Sequence, residues 1–559
     1  MTDKSFSYNP RMLQRLWRGA SSSGFMRKRF DASLLLLFGL VFAFGLSLAR
    51  RAIVLSDEGY LLLQALDMAN GKVVYRDMDS FVAPGVWFLL AGVFSVFEPS
   101  VLASRVVALL GYTGTAWVCY RIVFETSGRV VGFSAVAALM VFTVWAFPAW
   151  TFSFYSPYSI LFALAALTRL LVWRRTRRDR ELVLSGVLLG LSLTFKQNYG
   201  VLALLGAGIA VLAIRLEARE RPVAALGGAL RSGLRLCVGL ALVGVPLLAY
   251  FVHHDALAPT FEALVLHPFA DFLGKHDIPY LRLSGLWNRE QIDGVGRLTY
   301  TAYAFTNSAM RFHWYPFFLH GVERLHVLMY WLPLLAFGLG AWLSVSPTGR
   351  DRPIDGGLLS VLAVCGFLFL GVLPRADYNH LVNVYQPAII AVAVVAQRCV
   401  QRARASPPRF ARTIAAACGV LMLLYAYVAA YWYLDIVNRM DTRISSPRAG
   451  VLVTEAEARM IDFEVNAIRS RTRLREPVLT LPGLSMLNFL AERPMPSRYY
   501  NLYAVHVAHD QGAGVVEGAK ANRVQLAVAE YNDFFSERVR LREYAPALTS
   551  YIRRNFTVE

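Results

Sequence analysis

Charge is what this chain has least of. Only 17% of its 559 residues are charged, against 56% hydrophobic and 13% aromatic, and the mean hydropathy is +0.43. That balance excludes soluble domains of ordinary composition and leaves an integral membrane protein. Cysteine is scarce as well. The five present, Cys119, Cys237, Cys365, Cys399 and Cys418, sit in or beside apolar runs with no CxxC spacing and no pairing pattern, so they read as apolar filler. No internal repeat of fixed period is present. Histidines within 253–325, among them His253, His254, His267, His276 and His313, lack the HxxxH spacing of a zinc-binding helix. A net charge of +19 raises the question of nucleic acid, but Lys and Arg fall in short clusters between apolar runs, which is how membrane topology is recorded. Nucleic acid is therefore not an expected partner.

What the chain has in quantity is apolar sequence. Runs approaching the roughly 17–25 residues of a membrane span lie at 32–49, 104–124, 130–149, 157–173, 182–196, 200–214, 236–252, 326–345, 357–373, 382–397 and 412–433. The run PGVWFLLAGVFSVFE at 84–98 is too short to cross comfortably and reads as a re-entrant or interfacial helix. With the N-terminus inside and 84–98 not crossing, the basic loops at 174–180, 215–221, 349–352 and 397–412 all face the cytoplasm. Counting 84–98 as a span would put RRTRRDR outside and break the positive-inside pattern. The expectation is an α-helical polytopic membrane protein of about eleven transmembrane helices. A basic cytoplasmic N-terminus (1–31), read as an uncleaved anchor, precedes a transmembrane domain (32–433) with an acidic first outer loop at 50–103. Residues 434–559 mix helical and strand periods: a helix near 453–470, strands at 477–481 and 524–530, and a final helix around 543–555. They read as a small α/β domain outside the membrane.

Ionisable residues are almost absent from the expected spans, and the polar groups collect at the outer boundary instead. That suits a substrate with a lipid tail and a polar head, and weighs against an ion-coupled carrier with midplane carboxylates. Just past the first span, Asp57 and Glu58 open the helix EGYLLLQALDMAN. As neighbours they cannot share a helical face, so one can act as general base and the other as an orienting group or divalent-metal ligand (Mg or Mn); the alternative is an acidic N-cap on a solvated loop. Asp67 falls on the wet face of that helix. Asp77 and Asp79, two apart in YRDMDS, would point the same way if extended, toward sugar hydroxyls or a metal, or else belong to a plain polar loop. Lys196, a cation on the outer side, is either a phosphate partner or a snorkelling side chain. In LPRADYNHL, Arg375 and His380 can grip a phosphate with Asp377 between them, or Arg375 and Asp377 can simply pair within the turn. Arg105 meets either lipid headgroups or substrate. RYYNLY at 498–503 is aromatic enough to stack on sugars but reads as packing.

The acidic DE after span one, the helix ending MANGKVVYRD, the Pro-opened helix APGVWFLLAGVFSVFEPSVLASR, the outward Lys after GLSLTF and the late Arg-bearing loop together resemble bacterial GT-C membrane glycosyltransferases. The nearest subgroup is the PMT/ArnT-like and RgtA/B/C/D-like proteins (glycosyltransferase family 39-like), across roughly residues 30–390. The resemblance implies an inner-membrane enzyme that takes a sugar from a polyprenyl-phosphate donor on the periplasmic side and gives it to a lipid, glycan or protein acceptor, with Asp57 at the catalytic centre. Where such enzymes often carry a second acid, this chain has FSFYSPYS, with Tyr155 and Ser156. Alternatives are a transporter or flippase of lipid-linked sugars, or an O-antigen-ligase-like polysaccharide transferase, for which Arg375 and His380 would outweigh Asp57.

Overall fold

The computed structural model describes residues 32–218, 221–272, 277–287, 315–345, 354–403, 408–529 and 541–557; the basic N-terminal segment, His276, His313 and the basic loop at 349–352 lie outside them. In lipid a chain must satisfy its backbone hydrogen bonds internally, and each of the apolar runs lies largely within one helix, some helices starting well before their run. In chain order the first part gives α1 (Ala32–Ala49), α2 (Asp57–Ala69), α3 (Gly85–Phe94), α4 (Val101–Ser127), α5 (Arg129–Trp145), α6 (Tyr155–Thr176), α7 (Asp179–Phe195), α8 (Gln197–Glu217) and α9 (Pro222–His253). Beyond the following loop come α10 (Tyr315–Val345), α11 (Gly356–Leu370), α12 (Tyr378–Asn383), α13 (Tyr385–Ala403) and α14 (Pro408–Arg439). Among the described residues, seven helices are long and apolar enough to cross a membrane: α1, α4, α6, α8, α9, α14 and the 321–344 part of α10. The run at 84–98 forms α3, ten residues or about 15 Å, which is too short to span.

The helices pack by backbone approach where glycine allows it. A Cβ on Gly186 of α7 would sit 2.1 Å from the Leu236 carbonyl, and one on Gly239 of α9 would sit 2.1 Å from that of Val183, so α7 and α9 touch main chain to main chain. The basic loop ends of these helices are tied by ion pairs: Arg174 to Glu217, Arg175 to Glu125, and Arg235 to Asp179 at 2.8 Å. Because α6 starts at Tyr155 and ends at Arg174–Thr176, and α7 returns to Phe195, Tyr155 and Lys196 lie at the opposite end of the bundle from 174–180.

The C-terminal part is built on that opposite end. Strand β1 (Thr442–Arg443) pairs antiparallel with β2 (Leu452–Val453), and β3 (Leu479–Leu481) pairs parallel with β4 (Ala527–Ala529). Helices α15 (Glu455–Arg471), α16 (Ser485–Ala491), α17 (Ala504–Val507), α18 (Ala513–Ala521), α19 (Leu541–Tyr544) and α20 (Pro546–Asn555) pack around them. Thr454 and Glu457 close a capping box at the start of α15. This domain is stitched to the segment after α1: Ala52 N–H donates to Leu452 O at 2.9 Å, Leu452 N–H to Arg50 O at 2.7 Å, and Met486 N–H to Leu55 O at 3.1 Å. Gly59 explains the last contact, since a Cβ there would stand 2.3 Å from Met486 N. The glycine of DEG is thus where α16 meets α2.

Candidate active site

Helix α2 opens with two carboxylates that have opposite fates. Glu58 is 1% exposed and accepts from Arg105 Nε and Nη2, each at 2.7 Å, and from the Val54 N–H at 3.2 Å. Arg105, fully buried on α4, spends Nη1 on the carbonyls of Arg51 (2.7 Å) and Ala49 (3.2 Å). This fork-to-fork pair satisfies both partners and pins α2 to the end of α1; it leaves Glu58 no oxygen for a metal and Arg105 no face toward a substrate or headgroup. Asp57 points elsewhere. Among the described residues its carboxylate has no hydrogen bond and no ion pair; burial pushes its pKa up, and the more distant charges of His380, Arg375 and His506 pull it back down, with Asp377 pushing it up again. One turn along α2, the phenol of Tyr60 is pushed far above its usual range by burial, by Tyr155 and by Asp57, so it stays a neutral donor beside the carboxylate.

Cations come from two other turns. Asp377 N-caps α12, accepting from the His380 N–H at 2.9 Å; its Oδ1 also meets His380 Nδ1 at 2.9 Å and its Oδ2 accepts from Arg375 Nε at 2.8 Å. Burial would raise the Asp377 pKa, but His380 and Arg375 outweigh it and hold the carboxylate below its ordinary range. The Arg375–Asp377 pair thus forms within the turn, and the same carboxylate holds the His380 ring. Lys196, in the turn joining α7 to α8, donates to Ser156 Oγ at 3.1 Å, and its ammonium stands 3.7 Å from the Tyr199 ring centroid and 5.4 Å from that of Tyr155. Burial pushes its pKa down to about 7, against the opposing charge of Asp377. Tyr155, at the start of α6, lies between this cation and Tyr60.

The acids of YRDMDS part company. The segment is a tight turn rather than an extended strand, with Tyr75 at φ 69 and Asp77 N–H donating to Val73 O at 2.8 Å. Asp77 accepts from Val73 N and from Arg76 Nε and Nη2, at 2.8–2.9 Å, and the Arg76 hydrogen bond lowers its pKa first and foremost; its charge is spent inside the loop. Asp79 meets His506 Nδ1 at 2.8 Å. Asp67 is not a solvated side chain on the wet face: at 13% side-chain exposure it binds Lys72 Nζ at 2.8 Å and the hydroxyl of Tyr500. Tyr500 is 1% exposed, so RYYNLY packs the C-terminal domain onto α2. Sequence reasoning missed Tyr60, whose i+3 spacing from Asp57 was a readable signal, and His506, for which no local signal exists.

No family model matches the chain, and no curated protein sequence is significantly similar to it. Its backbone is similar to that of ArnT from Cupriavidus metallidurans bound to undecaprenyl phosphate, with a TM-score of 0.50 and 14% identity over 90% of each chain. The chain shares that protein's fold. Archaeoglobus fulgidus oligosaccharyltransferase in complex with Zn and sulfate also matches, at a TM-score of 0.49 and 10% identity over 88% of this chain and 68% of that one. In this scaffold a divalent ion finds a poor donor set. Glu58 is saturated by Arg105, Asp377 by Arg375 and His380, and among the described residues no group of three His, Cys, Asp or Glu side chains is placed to hold an ion. Asp57 alone does not define a site, and no step below runs through a metal.

Proposed function

We propose that this protein is a membrane glycosyltransferase that moves a hexosyl or pentosyl group from a polyprenyl-phosphate donor to a hydroxyl of a lipid, glycan or protein acceptor, at the outer face of a bacterial inner membrane. One observation carries the reading: Asp57 is a carboxylate with no hydrogen bond or ion pair among the described residues, near enough to Arg375 and His380 to feel their charges, and beside Tyr155, on whose ring Lys196 stands. The side of the membrane is supported by the basic loop at 174–180, which lies at the far end of α6 and α7 from Tyr155 and Lys196, since basic loops stay in the cytoplasm. The lipid tail of the donor then lies among the helices while its phosphate meets the cations at the rim.

Transfer proceeds as a single displacement. The acceptor oxygen forms a bond to the sugar C1 as its proton passes to Asp57, and the bond from C1 to the phosphate oxygen breaks with its electron pair leaving on the phosphate. The anomeric configuration inverts. General-base help from a carboxylate contributes about 10²–10⁴-fold. Preorganised donors at the leaving phosphate contribute about 3–4 kcal/mol each, and the Arg375 guanidinium, His380 and Lys196 are the groups in place to do so. Tyr60 and Tyr155 close the chamber with neutral hydroxyls that orient the sugar. Reconstituted protein given labelled polyprenyl-phosphate hexose and a mixed lipid and glycan acceptor pool tests this: transfer with inversion is expected, and translocation of the donor without transfer would replace the proposal with a flippase.

A further inference from the structure

One face of the C-terminal domain is apolar and, among the described residues, uncovered. Along α15, Met460 is 45% exposed and Phe463 75%, and Leu474, three residues beyond the helix, is 69% exposed. Ala456, Met460 and Phe463 follow the i, i+4, i+7 spacing of one helix face, opposite the face that buries Ala458, Ile461, Val465 and Ile468. Exposed arginines border that row: Arg459 near its start, reaching Glu455 at 3.6 Å, and Arg473 and Arg475 on either side of Leu474. Three acids of the same stretch are spent within the domain, Glu457 in the capping box, Asp462 on Ser445, and Glu476 on the Arg473 N–H at 2.8 Å. A helix with apolar side chains along one stripe and cations beside them has the composition of a membrane-surface helix.

The fold keeps α15 at the ends of the membrane helices. Its N-cap, Thr454, follows Leu452, which bonds through its main chain to Arg50 and Ala52 just past α1. Midway along, Asp462 accepts from the Ser445 N–H at 2.8 Å and from its hydroxyl at 2.7 Å, and Ser445 comes shortly after α14 ends at Arg439. Toward its C-terminal end, Arg469 meets Glu492 at 3.4 Å, as does Arg448, whose carbonyl accepts from the N–H of Val101 at the start of α4 at 2.8 Å. The helix is therefore tied to the ends of α1, α14 and α4. Two of these are peripheral, since only 22% of the apolar window of α1 and 17% of that of α14 are buried inside the protein; the rest of their surface is left to lipid. We propose that the exposed face of α15 rests in the headgroup layer of the membrane beside α1 and α14, with Met460 and Phe463 against the upper acyl carbons and Arg459, Arg473 and Arg475 on the phosphates of anionic phospholipids. The membrane, and not only the first loop, then holds the C-terminal domain over the chamber. Cations on this side do not conflict with the topology, because folded domains are translocated largely regardless of their charge.

The test places the photoreactive residue p-benzoylphenylalanine at position 463 of the full-length chain, reconstituted in nanodiscs of phosphatidylcholine with or without phosphatidylglycerol, and reads the adducts by peptide mass spectrometry after illumination. The same residue at position 230, where Leu230 of α9 is 70% exposed within a span, sets the yield of a site in lipid. Position 463 is expected to give phospholipid adducts at a comparable yield when phosphatidylglycerol is present. Replacing Arg473 and Arg475 together by Gln is expected to lower that yield about fivefold, the worth of one cation at an anionic surface, and leaving out phosphatidylglycerol to lower it similarly. Thermal unfolding of each variant in detergent confirms the fold; Met460 replaced in the same way repeats the reading should the Phe463 variant fail to fold. Absence of lipid adducts in folded protein overturns the proposal, as does a yield indifferent to both the arginines and the lipid charge. Adducts joining two copies of the chain would overturn it too, and make this face a protein interface. None of these side chains belongs to the chamber, so the result stands apart from whether sugar transfer is observed.

Discussion

At the scale of single residues, the adjacent acids of the DE pair do different work because only one found a partner. Removing one side of a fully buried ion pair costs about 3–5 kcal/mol, because the other charge is left uncompensated. Arg105→Ala and Glu58→Ala are therefore expected to lower the unfolding midpoint in detergent steeply, and Arg105→Lys to recover little, since an ammonium cannot reproduce the fork. Asp57 behaves oppositely. Its carboxylate, only partly buried, has no hydrogen bond among the described residues and its pKa is raised, so the folded state binds this proton more tightly than the unfolded chain. That contribution to stability is present at low pH and lost as pH rises through the raised value. Asp57→Asn is thus expected to leave the thermal midpoint at neutral pH unchanged or higher. The same raised pKa sets the acid limb of activity: a protonated Asp57 cannot take the acceptor proton, so kcat/KM for the wild type is expected to rise with pH through a midpoint above the ordinary carboxylate range.

At the scale of elements, the turns between helices carry the chemistry and the helices hold them in register. The Lys196 turn, boxed by Tyr199 and Tyr155, holds an ammonium whose pKa is near 7 before any anion arrives. A bound phosphate favours the charged form, so above neutral pH binding must bring a proton with it, and affinity for polyprenyl phosphate is expected to fall between pH 7 and 9. Lys196→Arg, which stays charged throughout, should flatten that dependence in the same titration. The helices were readable from the sequence because lipid forces apolar runs into helices, but against about eleven expected spans seven helices among the described residues are long and apolar enough to cross; the run at 84–98 forms the short helix α3. The turn at 73–79 was not, since the positive φ of Tyr75 sends Asp77 and Asp79 to different partners. The glycine of DEG had no sequence explanation until Met486 was seen against it; Gly59→Val is expected to loosen α16 from α2 and expose the C-terminal domain to protease.

At the scale of the whole molecule, the site is assembled from parts far apart in sequence, and that is why only some of it was legible. Asp57 announced itself by sitting just beyond a span, where an unexplained carboxylate is costly. Lys196 stood out against the positive-inside pattern, and Arg375 and His380 by clustering in one short turn. Glu58 could not be assigned, because its partner lies 47 residues away, and Asp79 even less so, with His506 427 residues distant. The fold brings the segment after α1 and the C-terminal domain together over one rim of the bundle, the place where the proposal puts the donor phosphate and the carboxylate base. The most direct measurement of that claim is the rate at which reconstituted protein transfers labelled hexose from a synthetic polyprenyl-phosphate donor, compared between wild type and Asp57→Asn at equal folded content. The account predicts a fall in kcat of about 10²–10⁴-fold with polyprenyl-phosphate binding retained; Asp57→Asn protein that transfers sugar at the wild-type rate would contradict it.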